Sequence, residues 1–581
     1  MRGNKWWLLV LALVLGLVLA ACSFENDSAE EDETDTDNVE ENETDGESES
    51  EGEEEEGEKV LRIASTSDIP TMDPILAEDN VSIQYTDTVY EGLYRLAPEG
   101  EIVSGIAKKD ETEISEDGLT YTFHLREDAQ WENGEPVTAH DFVYGWQRAI
   151  DPGNGSFYAN YLMNGKVKNA AEIYVTEDDE SDVEPLDPSE LGVSAPDDHT
   201  FVVELEKPVP YFESYAAFPT FLPMNKEFVE EQGDDFALSP DNILSNGPFK
   251  MTEWEAEAGW EFEKNETYWD AENVALDGIS VKVIKDADTA LSNYEVGELD
   301  RVTLSGAQVQ DNQTSPEFLS LTETSVFWLK FNQDSETASE YMQNLNFRKA
   351  LAKAFDKQAY IDVVYGNDST PVNFFVPEGF VEHPETGEDF QTGSNVLAYD
   401  VEDAQEFWEA AKEELGFDEV TLSFLSGDSD VAKNISEFMK TELETNLEGL
   451  TIEANNVPWA QQLEIMREQD YELAVSGWGP DYKDAISFVD LWVTDGENND
   501  IGYSNEEYDA LVEAAKGELA TSPVERFEAM QDAEKIALEE AALGPIMQRK
   551  TSVLAKDYLK GMESLNPFGN DYSFKYVDIV K

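Results

Sequence analysis

Tyr121-Thr-Phe-His-Leu-Arg126, followed shortly by Trp131-Glu-Asn-Gly-Glu-Pro-Val-Thr-Ala-His-Asp-Phe-Val-Tyr-Gly-Trp146, is the stretch on which the reading of the fold turns. It reads as a strand, then a turn at Asn133-Gly134, then a helix whose start is marked by Thr138 and Asp141. Asn-Gly is turn chemistry, because both residues tolerate the backbone angles that close a tight reversal. A strand handing over to a helix in this way predicts a mixed α/β chain.

The same mixture extends in both directions. Strand-like runs occur at Val60 to Ala64, Leu119 to Leu125, Thr200 to Leu205, Ile279 to Ile284 and Val326 to Phe331. Helical periodicity marks Ala139 to Ile150, Phe347 to Val364, Val401 to Leu415, Val431 to Thr445 and Glu525 to Ala541. Asp400-Val-Glu-Asp403 predicts a capping box at the start of one helix, and Gly416 its end. Punctuation suggests junctions at Asn246-Gly247-Pro248, ahead of a strand beginning at Phe249, and at Phe331-Asn332. The roughly 520 residues after position 58 exceed one hydrophobic core and predict two or three domains.

Charge excludes one class of partner. The chain carries a formal net charge of -91. Residues 25–58 hold twenty acids and no Lys or Arg. They cannot bury enough apolar surface to fold, so a self-repelling tether is expected there, reaching at least about 30–35 Å. From Lys59 onward 35 basic residues face 108 acidic ones, a balance of -73. Such a surface repels phosphate, which sets nucleic acid aside. The acids are spread along the whole body, as on a solvated face suited to high salt or high pH.

Cys22 is the only cysteine. It follows Leu19-Ala20-Ala21 at the end of an uncharged run, Trp6 to Ala21, preceded by Arg2 and Lys5. By length the run is a signal-peptide core, short for a membrane span. The Leu-Ala-Ala-Cys ending resembles the lipobox of bacterial lipoproteins and predicts a signal peptide over 1–21 and a lipidated Cys22. No intrachain disulfide is then possible. The expected location is outside the cytoplasm, on a cell membrane of Gram-positive type. The four histidines (His124, His140, His199, His383) lie far apart, and no zinc-protease, hydrolase-elbow or phosphate-loop pattern occurs. Neither enzymatic activity, a cofactor nor a metal is expected.

The strand–turn–helix stretch resembles the signature of the oligopeptide-binding proteins of ABC importers, a solute-binding family that includes dipeptide and nickel binders. Other matching stretches run through the body: Met72-Asp-Pro74, Tyr90-Glu-Gly-Leu93, Asp197-Asp-His-Thr-Phe201, Lys207-Pro-Val-Pro-Tyr-Phe212, Ser245-Asn-Gly-Pro-Phe249, Tyr268-Trp269, Gly297-Glu-Leu-Asp300 and Phe347-Arg-Lys-Ala350. The resemblance implies a two-lobed, hinged α/β fold with an extra subdomain in the N-terminal lobe. Lobe I would comprise 59–92, 244–331 and 545–581, the extra subdomain 93–243, lobe II 332–544, and the acidic tether 22–58.

For a binding site, Tyr471-Glu-Leu-Ala-Val-Ser-Gly-Trp-Gly-Pro-Asp-Tyr482 is the informative stretch. Gly477 and Gly479 would leave backbone open to an added ligand strand, Trp478 would form a flat wall, and Asp481 would offer a carboxylate. A peptide's α-ammonium needs such a partner, because burying it unpaired is costly. The resemblance puts Asp481 on the acid that grips that ammonium, Trp459 and Tyr158 on ligand-contacting aromatics, and Glu78-Asp79-Asn80 on the segment that hydrogen-bonds the peptide backbone. Val475 stands where some relatives carry a base for the ligand carboxylate, and Arg549 stands in place of an aromatic. Arg467 and Arg549 are the candidate substitutes. The implied partners are an oligopeptide and the transmembrane subunits of a permease driven by separate ATPase subunits. Contact with the membrane would be through the lipid alone, and the receptor would be a monomer. Alternatives within the class are a dipeptide, a signalling peptide, a sugar oligomer or a metal chelate; from another class, a surface peptidase or hydrolase.

Overall fold

A computed structural model describes residues 58–175, 185–391, 393–496 and 498–580. The leader, Cys22 and the acidic segment through Gly57 lie outside the described residues. Among the described residues three sheets of four or more strands organise the body, beside two two-stranded ones.

The first sheet begins with Val60–Ser65, which pairs in parallel with Gly278–Val283. Antiparallel Gly259–Lys264 and Phe249–Glu255 complete it. Leu61 and Ile63, Ile279 and Val281, and Trp260 and Phe262 alternate inward, as period-two strands with one covered face require. The helix Asn80–Val89 covers that face, with Tyr85 edge-on to Trp260 at 4.9 Å and stacked on Phe262 at 5.7 Å. Gly247 meets this layer at the suggested junction: a Cβ there would lie 2.8 Å from the backbone N, C and O of Tyr90. Only glycine fits so close an approach.

In the second sheet the strand order is Glu113–Ile114, Thr120–His124, Thr200–Glu204, Val193–Asp197, all antiparallel. The helix Ala139–Ile150 lies over it, placing Trp146 edge-on to Phe201 at 5.2 Å, with its indole N–H donating to the Phe221 carbonyl at 2.9 Å. At its start Thr138 donates through both backbone N–H (2.7 Å) and hydroxyl (3.0 Å) to Asp141 Oδ2. The strand, turn and helix of the opening stretch therefore form one unit.

The third sheet has seven strands. Its order is Arg301–Leu304, Leu543–Ala555, Phe318–Phe331, Leu473–Trp478, Val420–Gly427, Leu450–Val457, with Thr370–Pro371 also on Leu543–Ala555. Phe318–Phe331 and Leu543–Ala555, fourteen and thirteen residues long, run antiparallel. One half of the pair adjoins Arg301–Leu304 and the other Leu473–Trp478. Its register slips between Thr322 and Val326, where the shorter span on the partner strand contains Arg549. Such a bulge bends and twists a strand pair.

Two expectations for the helices need correction. Phe347 to Val364 is not one helix: Leu345–Lys353 ends, Asp356 caps a new start by accepting from Gln358 and Ala359 N–H, and Lys357–Tyr360 runs into a π-helical turn at Ile361–Tyr365. A good N-cap outcompeted the continuous periodicity. At Val401–Leu415, Asp400 accepts from Asp403 N–H at 3.1 Å. The reciprocal half of the box is missing, because the Asp400 N–H donates to the Lys353 carbonyl and the Asp403 carboxylate pairs with Lys353 at 2.9 Å. Gly416 ends this helix in the left-handed region, as expected.

Candidate functional site

A cavity of about 810 Å³ opens between the lobes. Glu78, Asp79, Asn80, Tyr158, Trp459, Gly477, Trp478, Gly479 and Asp481 all line it. Local folding explains several of these positions. Arg148, on the helix Ala139–Ile150, grips Asp73 with two bonds (3.0 and 2.7 Å), and Ser156 donates to the Ile75 carbonyl at 2.5 Å. These contacts hold the chain leading to Glu78 beside the helix Phe157–Met163, whose first turn carries Tyr158. Trp459 opens the helix Trp459–Arg467 directly after Pro458.

The strand Leu473–Trp478 pairs along its length with Val326–Phe331. On its other edge it shares only two rungs with Val420–Gly427, Phe424↔Leu473 and Leu425↔Ala474. From Val475 onward the two parallel strands separate, and Ser426, Gly427 and Val475 to Gly479 face the cavity. One edge of Val475–Trp478 thus has no strand partner among the described residues, which is the geometry that accepts an added ligand strand. The two glycines differ in their surroundings. A Cβ on Gly477 would lie 2.8 Å from the ring of Phe327, its cross-strand neighbour, so Gly477 makes room for that ring. At Gly479 the nearest group to such a Cβ is Ser325, at 4.0 Å, and the space is open.

Asp481 is 7 % exposed. Tyr158 donates its hydroxyl to Asp481 Oδ1 at 2.9 Å, and the Asp481 N–H donates to Ser487 Oγ at 3.2 Å. Ser487, which the sequence did not single out, also accepts from the Trp478 indole at 3.4 Å. Asp481 Oδ2 is buried without a partner. Burial pushes the carboxyl up to about 7, against the opposing bond from Tyr158. Asp79 is 5 % exposed and caps the helix Asn80–Val89, its Oδ1 accepting from Val81 (2.9 Å) and Ser82 (3.2 Å) N–H; its Oδ2 is likewise buried without a partner. Burial raises this carboxyl too, opposed first by the Ser82 hydroxyl and then by the backbone N–H groups of Ser82 and Val81.

The cations of the cavity wall are committed. Among the described residues that line it, Lys285 pairs with Asp428 at 3.2 Å, Lys330 with Asp500, Arg467 with Glu78, and Arg549 with Glu323 at 2.7 Å. Arg467 and Arg549 are therefore not free bases awaiting a ligand carboxylate. Arg467 reaches across the cleft to the opposite wall. Arg549 sits at the strand bulge, doubly bonded to Glu323 and 4.6 Å from the Phe327 ring centroid. The sequence could not indicate these partners, which lie hundreds of residues apart. Further contacts close the cleft: Tyr161 and Tyr482 share a hydroxyl bond at 3.3 Å, and Tyr211 stacks on Tyr482 at 4.4 Å. Among the described residues no group of three or more His, Cys, Asp or Glu side chains is placed to hold a metal.

The family model of the bacterial extracellular solute-binding proteins, family 5 (middle region), matches residues 101–500. The dipeptide-binding protein DppE of Bacillus subtilis is 30% identical over 568 residues, covering 97% of each chain. The oligopeptide-binding protein OppA of the same organism is 30% identical over 580 residues, covering 96% of this chain and 97% of that one. Among solved structures, Listeria monocytogenes OppA bound to peptide superposes with a TM-score of 0.83 at 40% identity, covering 90% of this chain and 100% of that one.

Proposed function

The chain belongs to the bacterial extracellular solute-binding proteins of family 5, and we propose that it captures oligopeptides outside the cytoplasm and delivers them to an ABC permease. One observation carries the choice of ligand. Asp481 lines a cavity sized for a small ligand and keeps one carboxylate oxygen, Oδ2, buried without a partner. Its burial cost is offset when an ammonium enters, so a ligand with a free amino terminus is selected. The open edge of Val475–Trp478 supports backbone pairing to an extended peptide, with Trp478 and Trp459 as flanking walls. The names of the Bacillus and Listeria relatives support the same ligand class.

Glu78, Asp79 and Asn80 would bond the peptide from the facing wall. With every lining cation already paired, the ligand carboxylate contributes little to recognition. The work is a binding equilibrium coupled to closure about the long strand pair, without covalent chemistry. The proposed lobes are 59–92, 244–331 and 545–581 for the first, 93–243 for its extra subdomain, and 332–544 for the second. Cys22 would carry the lipid that holds a monomeric receptor near its permease, with residues 23–58 as spacer.

Incubating the protein with a mixed peptide pool and analysing both fractions by mass spectrometry tests the reading. Intact co-purifying peptides are expected; shortened products would instead indicate a peptidase. Labelling cells with a radioactive fatty acid should mark the wild type and not Cys22→Ala.

A further inference from the structure

The cavity wall around Tyr158 carries more carboxyl groups than one amino terminus can pair. Glu78, Asp79 and Asp481 lie on it; Glu78 is paired with Arg467, and among the described residues neither Asp79 nor Asp481 has an ion-pair partner. Asp481 accepts from the Tyr158 hydroxyl, and the charge of Asp79 also reaches that hydroxyl on the same cavity wall. Each is more than nine-tenths buried, and each keeps one carboxylate oxygen buried and unpartnered. An α-ammonium placed on Asp481 leaves Asp79 Oδ2 still unpaired.

A peptide N–H could reach Asp79 Oδ2, but the charge at this position favours a cation. Asp79 caps a ten-residue helix, where the Ser82 hydroxyl, two backbone N–H groups and the positive end of the helix dipole favour its ionised form against the burial that raises this carboxyl. An entering cation would tip that balance further towards the carboxylate. A buried ionised oxygen gains more from a charged donor than from a neutral one. Resting on the peptide-binding reading above, we propose that Asp79 Oδ2 is a second cation-binding point in the cleft. The preferred ligand is then a peptide with a basic side chain close to its free amino terminus.

The test compares alanine pentapeptides in which one lysine is walked from position to position with the same series carrying norleucine, which keeps the stem and removes the ammonium. Titration calorimetry in about 0.5 M KCl suppresses attraction to the acidic surface at large, since the Debye length there is only about 4 Å. At one position near the amino terminus lysine should bind about tenfold tighter than norleucine, about 1.4 kcal/mol. In Asp79→Asn, which keeps a helix-capping side chain and whose folding is checked by thermal melting, that ratio should fall towards unity. A lysine advantage below about threefold at every position, or one that survives Asp79→Asn, overturns the inference while leaving the peptide reading intact. Failure of every peptide to bind the wild type overturns both.

Discussion

Tyr158 and Asp481 meet across the cleft, hydroxyl to Oδ1 at 2.9 Å, although 323 residues separate them in sequence. The bond fixes one oxygen of a carboxylate that lines the cavity and leaves the second buried without a partner. Removing it should both misorient and further desolvate the acid. Tyr158→Phe is expected to weaken binding of free-amine peptides by about 1.5–3 kcal/mol, the usual contribution of a bond to a charged group. Titration calorimetry against wild type measures the loss, and an unchanged affinity would show that Tyr158 has no part in orienting the acid.

Asp481→Asn should weaken binding of free-amine peptides far more than of their N-acetylated forms, by at least about tenfold in the ratio. Equal losses for both would remove the ammonium role. The same substitution bears on stability. Asp481 holds its proton up to about 7 in the ligand-free fold and to about 3.9 in an unfolded chain. The native state therefore binds the proton more tightly, and the group's contribution to stability declines as pH rises between those values. Asp481→Asn is expected to raise the melting temperature relative to wild type more at about pH 8 than at about pH 5, as differential scanning calorimetry would register.

Affinity should pass through a maximum with pH. Below about 7 Asp481 must lose a proton to receive the ammonium, and above about 8 the peptide's own α-amino group loses its proton. Peptide affinity measured from about pH 5 to about pH 9 should form a bell centred between those values. For N-acetylated peptides the bell should be absent.

Because each described lining cation is already paired with an acid, amidating the carboxyl terminus of a peptide should change its affinity by less than about threefold. A drop of about a hundredfold in paired binding assays would mean that one of these pairs opens to receive the ligand.

Glu323, buried, pairs with the partly exposed Arg549 at the bulge of the two long strands. Arg549, whose side chain is 29% exposed on the cavity wall, can be solvated once its partner is lost, so breaking the pair costs about 1.5–3 kcal/mol, the range of a hydrogen bond to a charged group. Glu323→Gln should lower urea stability by that order, whereas Arg467→Gln, which breaks a partly exposed pair, should lower it by no more than about 1 kcal/mol.

Local chemistry was legible along the chain. The strand at Thr120–His124 and the helices Ala139–Ile150 and Val401–Leu415 follow from periodicity and caps, which depend on neighbours within about four residues. The split at Asp356 was open to the same reasoning, since an N-cap residue stood inside the periodic run. The residues chosen from Tyr471 to Tyr482, with Glu78 to Asn80, Tyr158 and Trp459, line one cavity. Partner choice was another matter. Which acid takes Arg467, which ring fills the space over Gly477, and which oxygen of Asp481 is left bare are settled by the register of Val326–Phe331 against Leu473–Trp478 and by the meeting of two lobes. Such pairings join residues hundreds of positions apart. An acid-rich chain offers every base many equivalent partners, and only their packing in space distinguishes one from another.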